Sequence, residues 1–254
     1  MTSTDGPTVE RPAAPILGSR RAPAARLGVG VVHDLVTAIV TGAISPGDLL
    51  PTETELCEHF GVSRTVIRES VKRLEEKGMV TVVQGRGTQV TDPVEWNILD
   101  RVVLSALIEH DDEIGILDEL AVVRGQLESV MAATAAELRD DAQLDDLRDA
   151  HEVMAASAGR LEAFARNDIE FHARIMAISK NTLASGIART LVRRASEFSR
   201  FYGAPGPDAH RLTIEEHARV LDAIAAGDDE AAATAMLEHI SAAWTRRRLP
   251  SGSA

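Results

Sequence analysis

Two groups of residues in this 254-residue chain have types and spacings that could do chemistry. Arg64, Arg68 and Lys72 recur every fourth residue, which on a helix places three cations along one side. Such a stripe suits phosphate oxygens and base edges. Asp168 and His172 are also four apart, so they share a helix face. His217 aligns with Leu221 and Ile224, and His239 with Met236 and Ala243, so both turn toward an apolar interior. Imidazoles with one carboxylate suit zinc, nickel or a similar first-row ion. Burying imidazoles is costly unless each finds a partner, and a shared ion is one such partner. Spacing alone favours an ordinary surface or hydrogen-bonded role for any one of these histidines.

The elements that must position the basic stripe are locally encoded. Thr52 followed by Glu55 is a capping box, so a short helix starts there, with Leu56 and Phe60 on one face. Gly61 supplies the left-handed stop, and Ser63 the N-cap of a second helix. Val66, Ile67, Val71 and Leu74 line one side of that helix, and the stripe lies on another. This is a helix-turn-helix. Met79–Val83 and Thr88–Thr91 are rich in β-branched residues, and Gln84-Gly85-Arg86-Gly87 between them reads as a hairpin tip, hence a wing. Its glycines allow close approach to a phosphate, and Arg86 can reach into a minor groove. An apolar-periodic helix over Val31–Thr41, stopped by Gly42, completes a three-helix core.

The order of these features resembles the winged helix-turn-helix of the GntR family of bacterial transcription regulators. Leu50-Pro51-Thr52-Glu53, Gly61-Val62-Ser63-Arg64-Thr65, Arg68-Glu69, Leu74-Glu75, Gly78 and Gly85-Arg86-Gly87-Thr88 carry the resemblance. It implies operator contacts by Arg64, Thr65, Arg68, Lys72, Gly85 and Arg86. Thr54 departs from the pattern, since relatives often have arginine there.

From Trp96 onward no strand signal is convincing. Helices are expected over residues 97–109, 114–139, 141–157, 160–179, 182–202, 208–226 and 228–247, with breaks at Gly159, Asn181, residues 203–207 and Gly227-Asp228. Long helices with short links make an antiparallel bundle. Arg246-Arg247-Arg248 ends the last helix, where cations suit the helix dipole. Arg124 to Glu128, Asp168, Phe171-His172, Asn181, Glu216-His217, Ala223-Ile224, Gly227-Asp228, Met236 and His239 resemble the FCD effector domain of the FadR subgroup. The resemblance implies a divalent metal, zinc or nickel, on Asp168, His172, His217 and His239. Arg124 is then the candidate fork for an acidic effector, against an ordinary i,i+4 pair with Glu128. Asn181 either lines the pocket or caps a helix. Trp96-Asn97-Ile98-Leu99-Asp100 is similar to relatives that respond to sugar acids.

The fold is therefore expected to be mainly α: a disordered tail at 1–27, a winged helix-turn-helix at 28–92, an FCD-like bundle at 93–248 and a flexible end at 249–254. The tail, rich in Pro, Ala, Ser and Thr, is either without a role or a basic arm that touches DNA. Hydrophobic residues make up 44% of the chain and aromatics only 3%, so the cores are aliphatic. A single cysteine, Cys57, precludes an internal disulfide and fits a reducing cytoplasm. No apolar run approaches the ~20 residues that span a bilayer, so no membrane partner is expected. The net charge of −12 is not evenly spread: residues 1–92 carry ten Lys+Arg against eleven Asp+Glu, and residues 93–254 carry seventeen against twenty-eight. The acidity belongs to the second half, leaving a basic helix face free to meet DNA. The reading is a non-enzymatic repressor that binds an inverted-repeat operator as a homodimer and answers to a small organic acid near the metal. Two others remain open: a regulator for which the ion is the signal, and a metal-dependent enzyme, which would lack an evident general base.

Overall fold

The computed structural model describes residues 23–111, 115–203 and 208–248. Most of the expected N-terminal tail, the C-terminal end at 249–254 and the break at 204–207 lie outside them. The first helix, α1 (Pro23–Val40), begins earlier than its apolar period suggests, within the stretch assigned to the tail. Val31, Val32, Leu35, Val36 and Ile39 form its buried stripe. Ahead of that stripe the helix continues past Gly28, which packs beside Val66 and Ser70 of α3 (Arg64–Glu76).

The recognition unit follows its local signals. In α2 (Glu53–Phe60) the Thr52 side chain accepts from the Glu55 amide while the Glu55 side chain accepts from the Thr52 amide. Gly61, at φ 63°, is the left-handed C-cap. α3 buries Ile67 and Leu74 against α1. The wing is an antiparallel pair, β1 (Val80–Val83) and β2 (Gly87–Val90), with Val80 opposite Val90 and Val83 opposite Gly87. Leu49 adds a bridge to Gln89, so the chain before α2 flanks the wing.

No open linker follows the wing. Pro93–Glu95 forms one 3-10 turn, the Asn97 amide donates to the Lys77 carbonyl, and Lys77 pairs with Asp100 at 2.6 Å. Asp100 caps α4 (Arg101–Glu109), accepting from the amides of Val102 and Val103. The helix expected from residue 97 therefore starts at Arg101, because residues 96–100 serve as the junction. α4 has two apolar faces. Val103 and Ala106 enter the core of the winged unit, while Leu104 and Ile108 enter a cluster with Leu117, Leu191 and Phe201.

The rest is a helical bundle around α5 (Gly115–Leu138), which packs on α7 (Leu161–Ser179), α8 (Thr182–Ala195), α10 (Ala209–Ala226) and α11 (Asp229–Arg247), with α6 (Asp141–Ala156) against α7 and α10. Its central cluster is mostly aliphatic, from Ala132, Ala135, Leu147, Ile175, Val220, Ile224 and Met236, with the Phe171 ring among them. The helix expected over residues 182–202 is broken. α8 ends at Ala195, Phe198 takes an extended conformation, and a short α9 (Ser199–Tyr202) follows. The break swings Phe201 into the cluster with Leu104 and Ile108, and burial of that ring outweighs helix continuity. Among the described residues no helix is long and apolar enough to cross a membrane.

The junction yields a stability prediction. Gly78 has φ +71°, and a Cβ there would sit 2.2 Å from the Glu95 carbonyl oxygen. Gly78→Ala should destabilise the winged unit by about 2 kcal/mol, from the disfavoured φ and the displaced junction. A thermal melt that matched the unsubstituted protein would contradict this packing.

Candidate metal centre and DNA-binding surface

Four side chains from three helices meet inside the bundle. Asp168 and His172 come from α7, His217 from α10 and His239 from α11; their ligand atoms all lie within 4.8 Å of one another, and the histidines are buried. His217 Nε2 stands 2.9 Å from His239 Nε2 and 3.2 Å from His172 Nε2. Asp168 Oδ1 is 3.6 Å from His217 Nε2.

Carboxylates behind the rings set which nitrogen faces inward. Glu128 of α5 lies 2.5 Å from His172 Nδ1, and Glu216 of α10 lies 3.0 Å from His239 Nδ1. His239 Nδ1 hydrogen-bonds Glu216, and His172 Nδ1 stands close to Glu128 without hydrogen-bond alignment, so that the Nε2 atoms of both rings point at the third imidazole. His217 can donate to one of them but not to both. Asp168 Oδ1 is buried and accepts no hydrogen bond among the described residues. The cluster thus has more lone pairs than protons, which a cation would resolve. Neighbouring ligands on an ion with bonds of about 2.1 Å lie about 3.0–3.4 Å apart, close to the separations seen. The cluster can hold a divalent metal.

Each carboxylate is itself held by an arginine. Arg124 Nε is 2.5 Å from Glu128, and Arg246 grips Glu216 with both Nη atoms at 2.6 Å. Arg246 also reaches Thr213. Burial alone would raise the pKa of Glu128, but Arg124 and His172 more than offset it and hold it at about 2. Glu216 behaves alike: burial raises, hydrogen bonds from His239 and Arg246 lower, and the result is about 2. Burial depresses both His217 and His239, the latter to about 4, with the neighbouring imidazoles adding to the effect. Both rings stay neutral at pH 7, the form that ligates metals. Phe171 stacks on His217, ring centroids 4.5 Å apart, and fixes its plane.

A cavity opens beside the cluster. Asp168, Arg124, Thr213 and Arg246 line it, with Phe164, Val192, Phe201, Tyr202, His210, Ala243 and Arg247. Arg124 thus both pairs with Glu128 and faces the cavity. Asn181 is elsewhere: it caps α8, its side chain accepting from the Ala184 amide, and it is not among the lining residues. The Arg124–Glu128 pair is the i,i+4 pair that the sequence offers, but sequence reasoning gives Glu216, Thr213, His210, Phe201, Arg246 and Arg247 no role in this site. One signal existed for Arg246, which is seven residues after His239 and so falls on the same face of α11.

The winged unit presents the other surface. Arg64, Thr65, Arg68 and Lys72 are exposed along α3, and Gly85 and Arg86 are exposed at the wing tip. The Arg68 Nε donates to both oxygens of Glu53 at 2.9 and 3.0 Å, so its guanidinium is steadied from α2 while its side chain remains 69% exposed. Ser63 is the N-cap of α3 but makes no side-chain cap bond, leaving its hydroxyl free for a phosphate. Thr54, where the pattern has arginine, is exposed at the start of α2.

A basic recognition helix with a wing, joined to an all-helical domain with a ligand cavity, defines a class of effector-controlled DNA-binding regulators. Residues 27–90 match the gntR family of bacterial regulatory proteins, and residues 119–242 match the FCD domain. The chain is 34% identical over 220 residues to the galactonate operon transcriptional repressor of Escherichia coli K12, covering 85% of this chain and 94% of that protein. It is 30% identical to the transcriptional regulator LutR of Bacillus subtilis 168, covering 80% and 93%. The solved structure of Lar, which controls expression of the Listeria monocytogenes agr system, has the same fold at 17% identity, with TM-score 0.53 over 91% of this chain and 98% of that one. The chain belongs to the GntR family and carries the FCD domain of its FadR subgroup. It is a DNA-binding transcriptional regulator rather than an enzyme.

The buried groups predict a pH profile for chelator-treated protein. His217 and His239 have folded pKa values below their ordinary 6.5, so the unfolded chain takes up protons first. Their stabilising contribution is complete above about pH 6.5 and declines toward about pH 4. Glu128 and Glu216, depressed from 4.5 to about 2, contribute above about pH 4.5 and are lost as pH falls toward 2. Calorimetric melting temperatures should therefore drop steadily from pH 7 to pH 3; a flat profile between pH 7 and 5 would be inconsistent with neutral buried imidazoles.

Proposed function

We propose that this regulator represses transcription as a homodimer on an inverted-repeat operator. In this reading residues 28–92 bind DNA and residues 93–248 bind the effector, a small organic acid of the sugar-acid type. The acid sits beside a divalent ion, zinc or nickel, on Asp168, His172, His217 and His239, with Arg124 in the cavity wall. The observation that carries this is the cluster of three facing Nε2 atoms and an unpaired carboxylate oxygen, opening onto a cavity with arginines in its wall. An ion there supplies a Lewis-acid seat for carboxylate and hydroxyl oxygens. The name of the galactonate operon repressor supports a sugar acid. The cavity beside the cluster favours an organic effector over the ion itself as the signal.

On DNA, each protomer would lay α3 in a major groove and the wing tip against the adjoining minor groove. Two protomers would read two half-sites about one helical turn apart. One winged unit offers few contacts, which is why a dimer is the expected working form. An acid that prefers one relative placement of the two winged units would bias operator affinity by population shift.

Two experiments test this reading. Elemental analysis of purified protein supplied with zinc or nickel should find about one ion per chain, and His217→Ala should lose it; Arg124→Ala should keep the ion but weaken the response to acid. Absence of stoichiometric metal in the unsubstituted protein would sink the metal site. On an operator selected from a random duplex library, Arg64→Ala with Arg68→Ala should lower affinity by roughly 1–3 kcal/mol per lost base contact. An unchanged gel-shift titration would remove α3 from the interface.

A further inference from the structure

The cavity wall contains three guanidinium groups, and they are not equivalent. Arg124 is spent on Glu128 and Arg246 on Glu216, each carboxylate being buried. Arg247 pairs with no carboxylate among the described residues; its guanidinium carbon lies 5.7 Å from the centre of the Phe201 ring, on the cavity wall. We infer that Arg247, whose charge is not spent on a protein carboxylate, takes the anionic group of the effector and selects acids over neutral polyols. The inference rests on the cavity being an organic-acid site and names the side chain that gives it that preference.

The surroundings of Arg247 are built to hold it. Gly203 packs against its backbone so tightly that a Cβ on residue 203 would fall 1.6 Å from the Arg247 carbonyl oxygen. On either side of it, Trp244 of α11 donates to Asp118 at 2.6 Å and Arg248, the C-cap, pairs with Asp118 at 2.8 Å. These contacts fix the helix end to α5 and leave Arg247 no freedom to swing its backbone away. A half-buried guanidinium without a paired carboxylate is partly desolvated at a cost, and the aromatic ring beside it offsets only part of that cost. Burial lowers the pKa of Arg247, with Asp168 acting in the opposite sense. Occupation by an anion would relieve this directly, through a two-pronged contact that guanidinium makes with a carboxylate. A ligand carboxylate and hydroxyls are the matching chemistry: the acid group toward Arg247, hydroxyls toward Ser196, Thr213 and Tyr202 of the same wall.

The test is calorimetric titration of the full chain, with zinc added, using acetate, L-lactate, D-gluconate and D-galactonate, with sorbitol and galactose as neutral controls. The expected result is that at least one acid binds the unsubstituted protein and that Arg247→Gln weakens it about tenfold or more, while the neutral sugars change little. Should Arg247→Gln melt early, Arg247→Met, which keeps a stem over Phe201, is read in the same way. Acid affinity within about twofold of the original in a folded variant would overturn the role of Arg247 and leave the organic-acid reading standing. Equal losses for acids and neutral sugars would assign the effect to cavity shape and also overturn it. Silence of the unsubstituted protein toward every acid would overturn the organic-acid reading itself, and the role of Arg247 with it.

Discussion

Two buried carboxylates, each clamped between a guanidinium and an imidazole, organise the helical half of this protein. Glu128 joins Arg124 of its own helix to His172 of α7, and Glu216 joins Arg246 of α11 to His239 of the same helix. A buried glutamate without such partners would cost several kcal/mol or take up a proton. With them, it stays ionised and turns each ring so that Nε2 faces the centre. The same pairs consume the charge of Arg124 and Arg246. One constraint therefore accounts for both the inward-facing nitrogens and the difference between Arg247 and its two neighbours in the cavity.

How far the sequence made this legible varies with the range of the interaction. The winged unit is written in local signals: the Thr52–Glu55 box and the left-handed Gly61 act within a few residues. Helical period places His217 and His239 on apolar faces and Asp168 with His172 on one face, but that the four converge is implied by the resemblance to the FCD domain and not by spacing. The carboxylates behind them did not stand out. Glu128 and Glu216 fall within the FCD-like stretches of the sequence, but only packing reveals that they are buried behind the imidazoles. Arg246 and Arg247 matched a helix-dipole role so well that their use in a cavity was hidden. The break between α8 and α9 had no glycine or proline to mark it; it comes from where Phe201 must go, which is a tertiary demand.

The two halves are joined by α4, whose opposite faces belong to different cores. Val103 and Ala106 are packed with α1 and α3, the helix that carries the basic stripe. Leu104 and Ile108, one and two residues away around the same turns, are packed with Leu117, Leu191 and Phe201. Phe201 is shared between that cluster and the cavity wall. Phe201 thus meets Arg247 on the cavity side and belongs to the apolar cluster that holds Leu104 and Ile108 of α4. Close-packed interfaces of this kind respond by stepping between packings rather than by yielding gradually. A coupling of about 1–3 kcal/mol between two sites changes affinity roughly 5–150-fold, and repacking one or two side chains in this cluster is of that size. The junction at residues 96–100 is tied to the winged unit, with Lys77 paired to Asp100 and Gly78 against Glu95. Movement of α4 would then carry the whole winged unit with it, changing the orientation of α3 and not its internal structure.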